Sequence, residues 1–477
     1  MIEIFNFWIL AIILIAYVVL VGSACIVVLS ENRSPIRSLA WVIALIFLPG
    51  IGLIFYLFFG RSLKSLNLLY RHHKRRILQN KHRKVCSLDD IGLSQHHKQL
   101  VKLAFSLTHS PVTIHNKMSI FTNGANKFRS LLIDLSNARS SILLQYYIFQ
   151  DDEIGSRIAD ILCEKARNGV DVKVIYDHVG SFSSSSAFFR RMKDAGVDVQ
   201  PFFRVTFPQL ANRINWRNHR KIVIIDSEIG YIGGMNIADR YTNDNSKHND
   251  WRDTHFRLEG EIVQSLIYSF ALDYNFLKKK LTEFRYAPSA PLPEATLPLQ
   301  LVTGGPAAKW DNLSLCFLKA IASAKKLIYI QTPYFLPTDA LLHALEAAAL
   351  SQVDVRIMLP RKSDSRLLQL ASLSYVTQCM RAGIKFYLYD PGMLHAKTMI
   401  IDDDFVTAGS TNFDFRSLEN NFEANLLIFS PVANATMKDI FFRDAAKCTK
   451  LNFSNWKNRP RLQRTLESFV RLLAPIL

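Results

Sequence analysis

Cysteine is scarce in this 477-residue sequence. The six residues, Cys25, Cys86, Cys163, Cys316, Cys379 and Cys448, lie far apart, with no CxxC spacing and no ligand-like pairing with histidine. That excludes a disulfide framework and a zinc site and leaves reduced thiols used for packing. Acidic residues are short in number too: 40 Asp and Glu stand against 58 Lys and Arg, a formal net charge of +18. Such an excess asks for an anionic partner, either nucleic acid or an acidic membrane surface. The composition, 49% apolar and 21% charged, excludes a disordered chain, and the length calls for two or three units.

Charge of either sign is missing from two long runs, Ile4 to Ser30 and Ser38 to Gly60. Each exceeds the roughly 20 residues needed to cross a bilayer core. The first has no basic n-region and is longer than the usual h-region, so it reads as a retained membrane helix and not as a signal peptide. With "ENRSPIR" (31–37) as a hinge, the runs predict a transmembrane helical hairpin over 1–60. Pro49, Gly50 and Gly52 break up the second run, which leaves a re-entrant or tilted segment open. Acid is then absent from 61–84, where Arg61, Lys64, Arg71, Lys74, Arg75, Arg76, Lys81, Arg83 and Lys84 fall in a linker over 61–105. The positive-inside rule puts this face, and all that follows, in the cytoplasm. Each basic side chain near anionic headgroups adds about 1 kcal/mol. A nucleic-acid arm is the competing reading; the tether to a membrane hairpin favours lipid.

Beyond about residue 100 short β-branched runs alternate with helical stretches, an α/β pattern, and the chain is doubled. "ARSSILLQYYIFQDDEIGSRIADILCEKARNGVDVKVIYD" (138–177) and "AKKLIYIQTPYFLPTDALLHALEAAALSQVDVRIMLP" (324–360) repeat one order of strand, amphipathic helix and strand, with Gln145 opposite Gln331. A connector over 286–306 with five prolines separates a first domain over 106–285 from a second over 307–477. The fold class expected is α/β, two pseudo-symmetric halves, each a sheet flanked by helices, behind the N-terminal hairpin.

Each half ends in the same array. "NHRKIVIIDSEIGYIGGMN" (218–236) carries His219, Lys221, Asp226, Gly233 and Asn236; "LHAKTMIIDDDFVTAGSTN" (394–412) carries His395, Lys397, Asp402, Gly409 and Asn412. One such array is explicable as strand chemistry; two in matching places are not. Residues i and i+2 of a strand share a face, so each His and Lys point together. Lysine brings a fixed charge and three donors, and histidine a nitrogen that attacks or carries a proton near neutral pH. The Gly-Gly or Gly-Ser step with Asn two residues on suits close approach and further donors for an oxyanion. Brought face to face, the two sets fit a phosphodiester. No metal-ligand cluster accompanies the motif, so lysines and amides have to stabilise the charge, and no cofactor is required. One imidazole attacks phosphorus and the other protonates the leaving alcohol, then deprotonates the acceptor. Near-symmetry lets either histidine take the first step. Asp253 follows the first histidine and Glu423 the second, and these are the candidates to fix the imidazole tautomers. Asp226 and Asp402 end strands before a turn, where a carboxylate binds backbone amides.

These residues resemble the phospholipase D superfamily, with its duplicated H-x-K-x4-D followed by G-[SG]-x-N. Within it the sequence is most similar, end to end, to bacterial cardiolipin synthases. The similarity covers "NRSPIRSLAWVIALIFLPGIGLIFYLFFG" (32–60), "FTNGANKF" (121–128), "NWRNHRK" (215–221), "FDFRSLENNFEANL" (413–426) and "NWKNRPRLQRTLESFVRLLAPIL" (455–477). The resemblance implies a metal-independent phosphatidyltransferase of the cell (inner) membrane, multi-pass, with its catalytic part cytoplasmic. It implies transfer of a phosphatidyl group between two phosphatidylglycerols on an anionic phospholipid membrane, without nucleic acid, through a phosphohistidine. It implies His219 as nucleophile, His395 as general acid and base, Lys221 and Lys397 as phosphate ligands, and Asn236, Asn412 and Ser410 as further phosphate-binding groups. Gly234 stands where many members have Ser, which removes a hydroxyl donor there.

Three other stretches carry weaker expectations. "PFFRVTFPQLANRINWR" (201–217) is either a lip that dips into headgroups or a loop packing its aromatics on the core. "SFSSSSAFF" (181–189) reads as a flexible loop, and "YYIF" (146–149) and "TPYF" (332–335) as core aromatics whose place beside the shared site leaves an acyl- or glycerol-lining role open. A phospholipase D that uses water, a nuclease and a non-catalytic scaffold are the competing functions. The hairpin speaks against the nuclease, and two intact His/Lys sets speak against the scaffold.

Overall fold

The computed structural model describes residues 2–30, 35–48, 50–56, 91–205, 216–243, 250–278, 292, 294–472 and 474. The basic segment 61–84, Cys86, Pro49, residues 206–215 and most of the Pro-rich connector lie outside the described residues. The chain divides into two units, 1–63 with 205–215, and 64–204 with 216–477.

In the first unit Ile2–Ser30 is one helix, and its Asn6–Ser30 part is long and apolar enough to cross a membrane. At 1.5 Å per residue those 25 residues span about 37 Å, more than the roughly 30 Å of a hydrocarbon core. Among its described residues the second apolar run forms the helices Pro35–Phe47 and Ile51–Phe55, with Gly50 between them at φ 73°. Val21, Ala24 and Val28 pack with Leu45 and Tyr56, and the Tyr17 hydroxyl donates to the Leu45 carbonyl at 3.2 Å. Gly52 permits the fold-back, because a Cβ there would sit 2.1 Å from the Ala44 carbonyl oxygen.

The second unit holds two sheets built alike. The first runs, in spatial order, Asn116–Phe121, His255–Gly260, Ile229–Gly233, Ile222–Ile225, Ser141–Tyr146, Asp171–Asp177 and Asp198–Phe202. The second runs Leu299–Gly304, Glu423–Phe429, Phe405–Gly409, Thr398–Ile401, Leu327–Gln331, Asp354–Pro360, Lys385–Tyr389 and an additional Cys448–Lys450. Strand for strand the first seven correspond. In each half the Gln-bearing strand pairs parallel to its successor and antiparallel to the motif strand. The motif strands IVII and TMII are buried throughout, as apolar β-branched runs in the middle of a covered sheet must be. Helices cover the faces by their apolar stripes. In Glu153–Arg167, capped by the Asp152 carboxylate accepting from the Gly155 amide at 3.1 Å, Ile154, Ile158, Ala159 and Leu162 are buried.

Two expectations about local structure are corrected. The last part of the expected linker is the helix Gln95–Thr108, whose Leu100, Val101 and Ala104 enter the core of the second half. The serine-rich 181–189 stretch is loop only to Ser185; that hydroxyl caps the helix Ser186–Asp194, and Phe188 and Phe189 are buried. Phe202, Phe203 and Trp216 are core aromatics packed near Phe276 and Phe422. Cys163, Cys316 and Cys379 are buried free thiols, while Cys25 and Cys448 are half-buried and free.

Candidate active site

The halves meet through backbone ladders placed beside the motif histidines. Gly392–Leu394 pairs in parallel with Asp250–Arg252, and the His395 amide donates to the Arg252 carbonyl at 2.7 Å. On the other side Asn218 bridges Phe422, and the His219 amide donates to the Phe422 carbonyl at 2.9 Å. Each His-x-Lys is therefore an extended lead-in to its motif strand, which starts one residue after the lysine, at Ile222 or Thr398. The opposite half clamps each histidine, immediately before the residue that carries that half's carboxylate.

This geometry crosses the carboxylates over. His219 Nδ1 lies 2.9 and 3.2 Å from the Glu423 oxygens and 3.1 Å from the Ser410 carbonyl. His395 Nδ1 lies 2.6 Å from Asp253 Oδ2. Sequence order associates Asp253 with the first histidine and Glu423 with the second; in the folded protein each serves the other's. A neutral imidazole facing a carboxylate holds its proton on Nδ1, which leaves the lone pair on Nε2. Both carboxylates are fully buried, and both histidines nearly so.

Burial dominates the electrostatics. It pushes both imidazoles down to about 4, against the pull of Glu423 on His219 and with the push of Lys397 on His395. At neutral pH both rings are uncharged, and an uncharged ring is what a nucleophile needs to be. Burial holds Lys221 well below the ordinary lysine range and brings Lys397 to about 8. The fields of the two lysines, Asp253 and Glu423 reach one another across the halves. Burial opposes the charged forms of Asp253 and Glu423, but the neighbouring lysine and histidine outweigh it and hold both below the carboxylate norm. Lys221 Nζ donates to the His219 carbonyl at 2.6 Å, and Lys397 Nζ donates likewise to the His395 carbonyl. Buried beside the histidines, both Nζ groups are donors for an incoming anion, whose own charge favours their ammonium forms.

The remaining motif residues divide. Asp226 and Asp402 sit in left-handed backbone, φ 52° and 49°, and are spent on the fold. Asp226 accepts from the amides of Arg139, Ser140 and Ser141, and Asp402 from those of Lys325, Lys326 and Leu327. Each pins the start of the neighbouring Gln-bearing strand. Asn236 uses both ends of its amide internally, accepting from Ile148 and donating to the Tyr241 hydroxyl. Asn412 steadies the Asp414 carboxylate. The Ser410 hydroxyl donates to Glu423 Oε2 at 2.5 Å and accepts from the Ala424 amide. It buttresses the carboxylate behind His219. Gly234, its counterpart, has no room for a side chain: a Cβ would lie 2.1 Å from Asp253 Oδ1. The missing hydroxyl is thus the consequence of a closer-packed carboxylate.

Sequence reading missed a second pair of buried acids. Asp273 joins Arg220 at 2.5 Å, Gln145 at 2.6 Å and Asn218 at 3.0 Å; Asp444 joins Arg252 and Gln331, each at 2.8 Å. Arg220 and Arg252 neighbour His219 and Asp253 in the chain, so these pairs fix the backbone under the reacting groups. The matched Gln145 and Gln331 were the signal available. Tyr147, in the YYIF stretch expected beside the site, sits edge-on to His219 at 4.9 Å; missed were Trp251 and Tyr241, which lie 5.4 and 5.7 Å from His395. On the His395 side Trp251 and Met393 open into a polar cavity of about 740 Å³, lined also by Arg240, Arg361, Lys362 and Asp364.

Two pseudo-symmetric α/β halves that pool two histidines, two lysines and two crossed carboxylates define a phospholipase D-type phosphodiester-transferring enzyme. The family described as "Cardiolipin synthase, PLD-like domain" matches residues 131–266 and 317–445, and "Phospholipase_D-nuclease N-terminal" matches 7–61. The chain belongs to the cardiolipin synthase family. It is 38% identical over 466 residues to the major cardiolipin synthase ClsA of Bacillus subtilis (strain 168), covering 95% of this chain and 96% of that one. It is 36% identical over 466 residues to a cardiolipin synthase of Listeria monocytogenes, with the same coverage of each chain. The crystal structure of a phosphatidylserine synthase from Haemophilus influenzae shares the fold, at TM-score 0.60 and 16% identity, over 80% of this chain and 100% of that one.

Proposed function

We propose that the protein makes cardiolipin and glycerol from two molecules of phosphatidylglycerol by a two-step transfer. His219 Nε2 attacks phosphorus of the first lipid, and the P–O bond to its glycerol breaks as His395 delivers a proton to the leaving oxygen. The glycerol hydroxyl of the second lipid then returns a proton to His395 and attacks phosphorus. The P–N bond breaks, and His219 is free again. Lys221 and Lys397 neutralise the charge on the non-bridging oxygens. Glu423 balances the positive charge that His219 acquires on phosphorylation, and Asp253 does so for protonated His395. In the resting protein His395 is uncharged, so the bound phosphodiester has to raise its proton affinity before it can act as an acid.

The observation that carries this reading is the pair of imidazoles, each fixed at Nδ1 by a buried carboxylate of the opposite half. The polar cavity beside His395 supports the division of roles, since leaving and entering glycerol groups both need a wet, hydrogen-bonding approach to the proton carrier. Relatives named cardiolipin synthase over nearly the whole length support the substrate. The apolar helix supports a membrane location, the second uncharged run over 38–60 supports a multi-pass chain, and the basic, acid-free segment 61–84 supports a cytoplasmic catalytic part. The test is incubation of the purified full-length protein with phosphatidylglycerol vesicles in the presence of a chelator. Cardiolipin and glycerol in equal amounts are expected; phosphatidic acid as the main product would replace transfer with hydrolysis.

A further inference from the structure

An amphipathic helix of a water-soluble domain turns its apolar stripe inward and its charges outward. The C-terminal helix Arg461–Arg471 does the reverse. The residues it buries are Glu467 and Val470. Glu467 is gripped by Arg459 through two bonds of 2.6 and 3.0 Å and by Gln463 at 3.1 Å, and Arg459 lies flat on the Trp456 ring at 3.4 Å. Arg471 ties the other end down, over the Tyr375 ring at 4.0 Å and bonded to Gln378 at 3.2 Å. The helix is thus held to the helix Arg366–Arg381 by these polar groups together with Val470, which joins the core there.

Its apolar side faces out. Leu462, Leu466 and Phe469, spaced i, i+4, i+7 and so within one narrow arc, are 83%, 48% and 63% exposed, and Leu472 just beyond is 75% exposed. A buried ion pair holding three large apolar side chains in solvent is a poor arrangement for water and a good one for a bilayer interface. The flank is basic: Lys457, Arg461 and Arg464 are exposed, and Glu467, the one acid between 457 and 471, is already paired. We propose that this helix is an interfacial anchor that seats the catalytic unit on an anionic lipid surface, its leucines and phenylalanine among the acyl chains and its arginines on phosphates. The placement has a use. The helix beneath it, Arg366–Arg381, starts directly after Arg361–Asp364, which line the polar cavity beside His395. Seating the anchor positions the mouth of that cavity relative to the lipid headgroups.

The test uses full-length protein carrying the photo-crosslinking residue benzoylphenylalanine at 462, 466, 469 or, on the other side, 464 or 468, reconstituted in vesicles containing phosphatidylglycerol. Irradiation should give lipid adducts at 466 and 469 at least tenfold above those at 464 and 468. Adducts to a second copy of the chain at 466 and 469, or equal lipid labelling all round, would overturn the proposal. A second readout rests on the proposed transfer activity. Leu462→Ser/Leu466→Ser/Phe469→Ser should lower cardiolipin formation about tenfold on bilayer phosphatidylglycerol and less than twofold on short-chain phosphatidylglycerol dispersed as monomers. Equal loss on both substrates would mean that the helix supports the fold and not docking. Should the unaltered protein make no cardiolipin at all, the transfer reading fails, while the crosslinking result still decides the anchor.

Discussion

Replacing Glu423 by glutamine isolates what the crossed carboxylate does. The substitution keeps size and shape in a fully buried place, and the backbone bonds of His219 to Phe422 and of Ser410 to Ala424 do not depend on the charge. What is lost is a negative charge 2.9 Å from Nδ1 of a ring that becomes cationic on phosphorylation. At an effective dielectric of about 20, opposite unit charges at that distance attract by about 6 kcal/mol, and hydrogen bonds to charged groups retain a net of about 1.5–3 kcal/mol. A loss of roughly 3 kcal/mol in the transition state is therefore expected, about a hundredfold in kcat. Glutamine can also turn its NH2 toward Nδ1 and favour the wrong tautomer, which adds to the loss. Rapid-quench measurement with labelled phosphatidylglycerol should show slow formation of the covalent intermediate. Nitrogen NMR of labelled histidine should show His219 altered and His395 unchanged. A loss under threefold, or a disturbance at His395 in place of His219, would refute the crossed arrangement.

Three further outcomes follow from the same geometry. His219 and His395, held to about 4, bind protons less readily than in the unfolded chain at about 6.5, so their contribution to stability is intact above pH 6.5 and is lost as pH falls toward 4. The loss is roughly 3 kcal/mol for each ring over that window. Tm of the purified protein should fall steadily from pH 7 to pH 5, and a flat profile would contradict the burial argument. Gly234→Ala forces a methyl to within 2.1 Å of Asp253 Oδ1, so transfer activity should drop at least about tenfold by displacing the carboxylate from His395; an active Gly234→Ala protein would show that Asp253 has slack. Asp402→Ala removes the acceptor for three strand-start amides and should cost about 1–2 kcal/mol of stability, read as a lower Tm. Its kcat below the transition should stay within a few-fold, and a hundredfold loss would give the motif aspartate a part in the chemistry.

Much of this was legible in the sequence because duplication carries its own control: Lys221 and Lys397 mean little singly and a great deal at matched offsets from His219 and His395. The shared strand–helix–strand segment of the two halves was legible from the same repeat; the order of strands within each sheet was not. The pairing of Asp253 with His395 was not legible, since nothing in chain order says that Asp250–Arg252 will ladder with Gly392–Leu394. Asp273 and Asp444 escaped notice because an acid on a helix reads as solvated; what buries them is the approach of Arg220 and Arg252, a tertiary event. Composition suggested a second apolar segment at 38–60 broken near Pro49, Gly50 and Gly52, and its described residues form two helices with Gly50 between them. The reversed helix Arg461–Arg471 is amphipathic in sequence, and the sequence alone does not say which side is buried.

The central claim is that His219 becomes phosphatidylated while His395 moves the protons. Acid-stable phosphohistidine analysis is unsuitable, because such adducts survive in base and not in acid, so the decisive measurement is a single-turnover reaction quenched in base, digested and mapped by mass spectrometry. The account predicts an adduct on His219 of the unaltered protein, a phosphatidyl group or its base-deacylated glycerophosphoryl remnant, that forms before cardiolipin appears. An adduct on His395, or none on either histidine while cardiolipin forms at the normal rate, would contradict it.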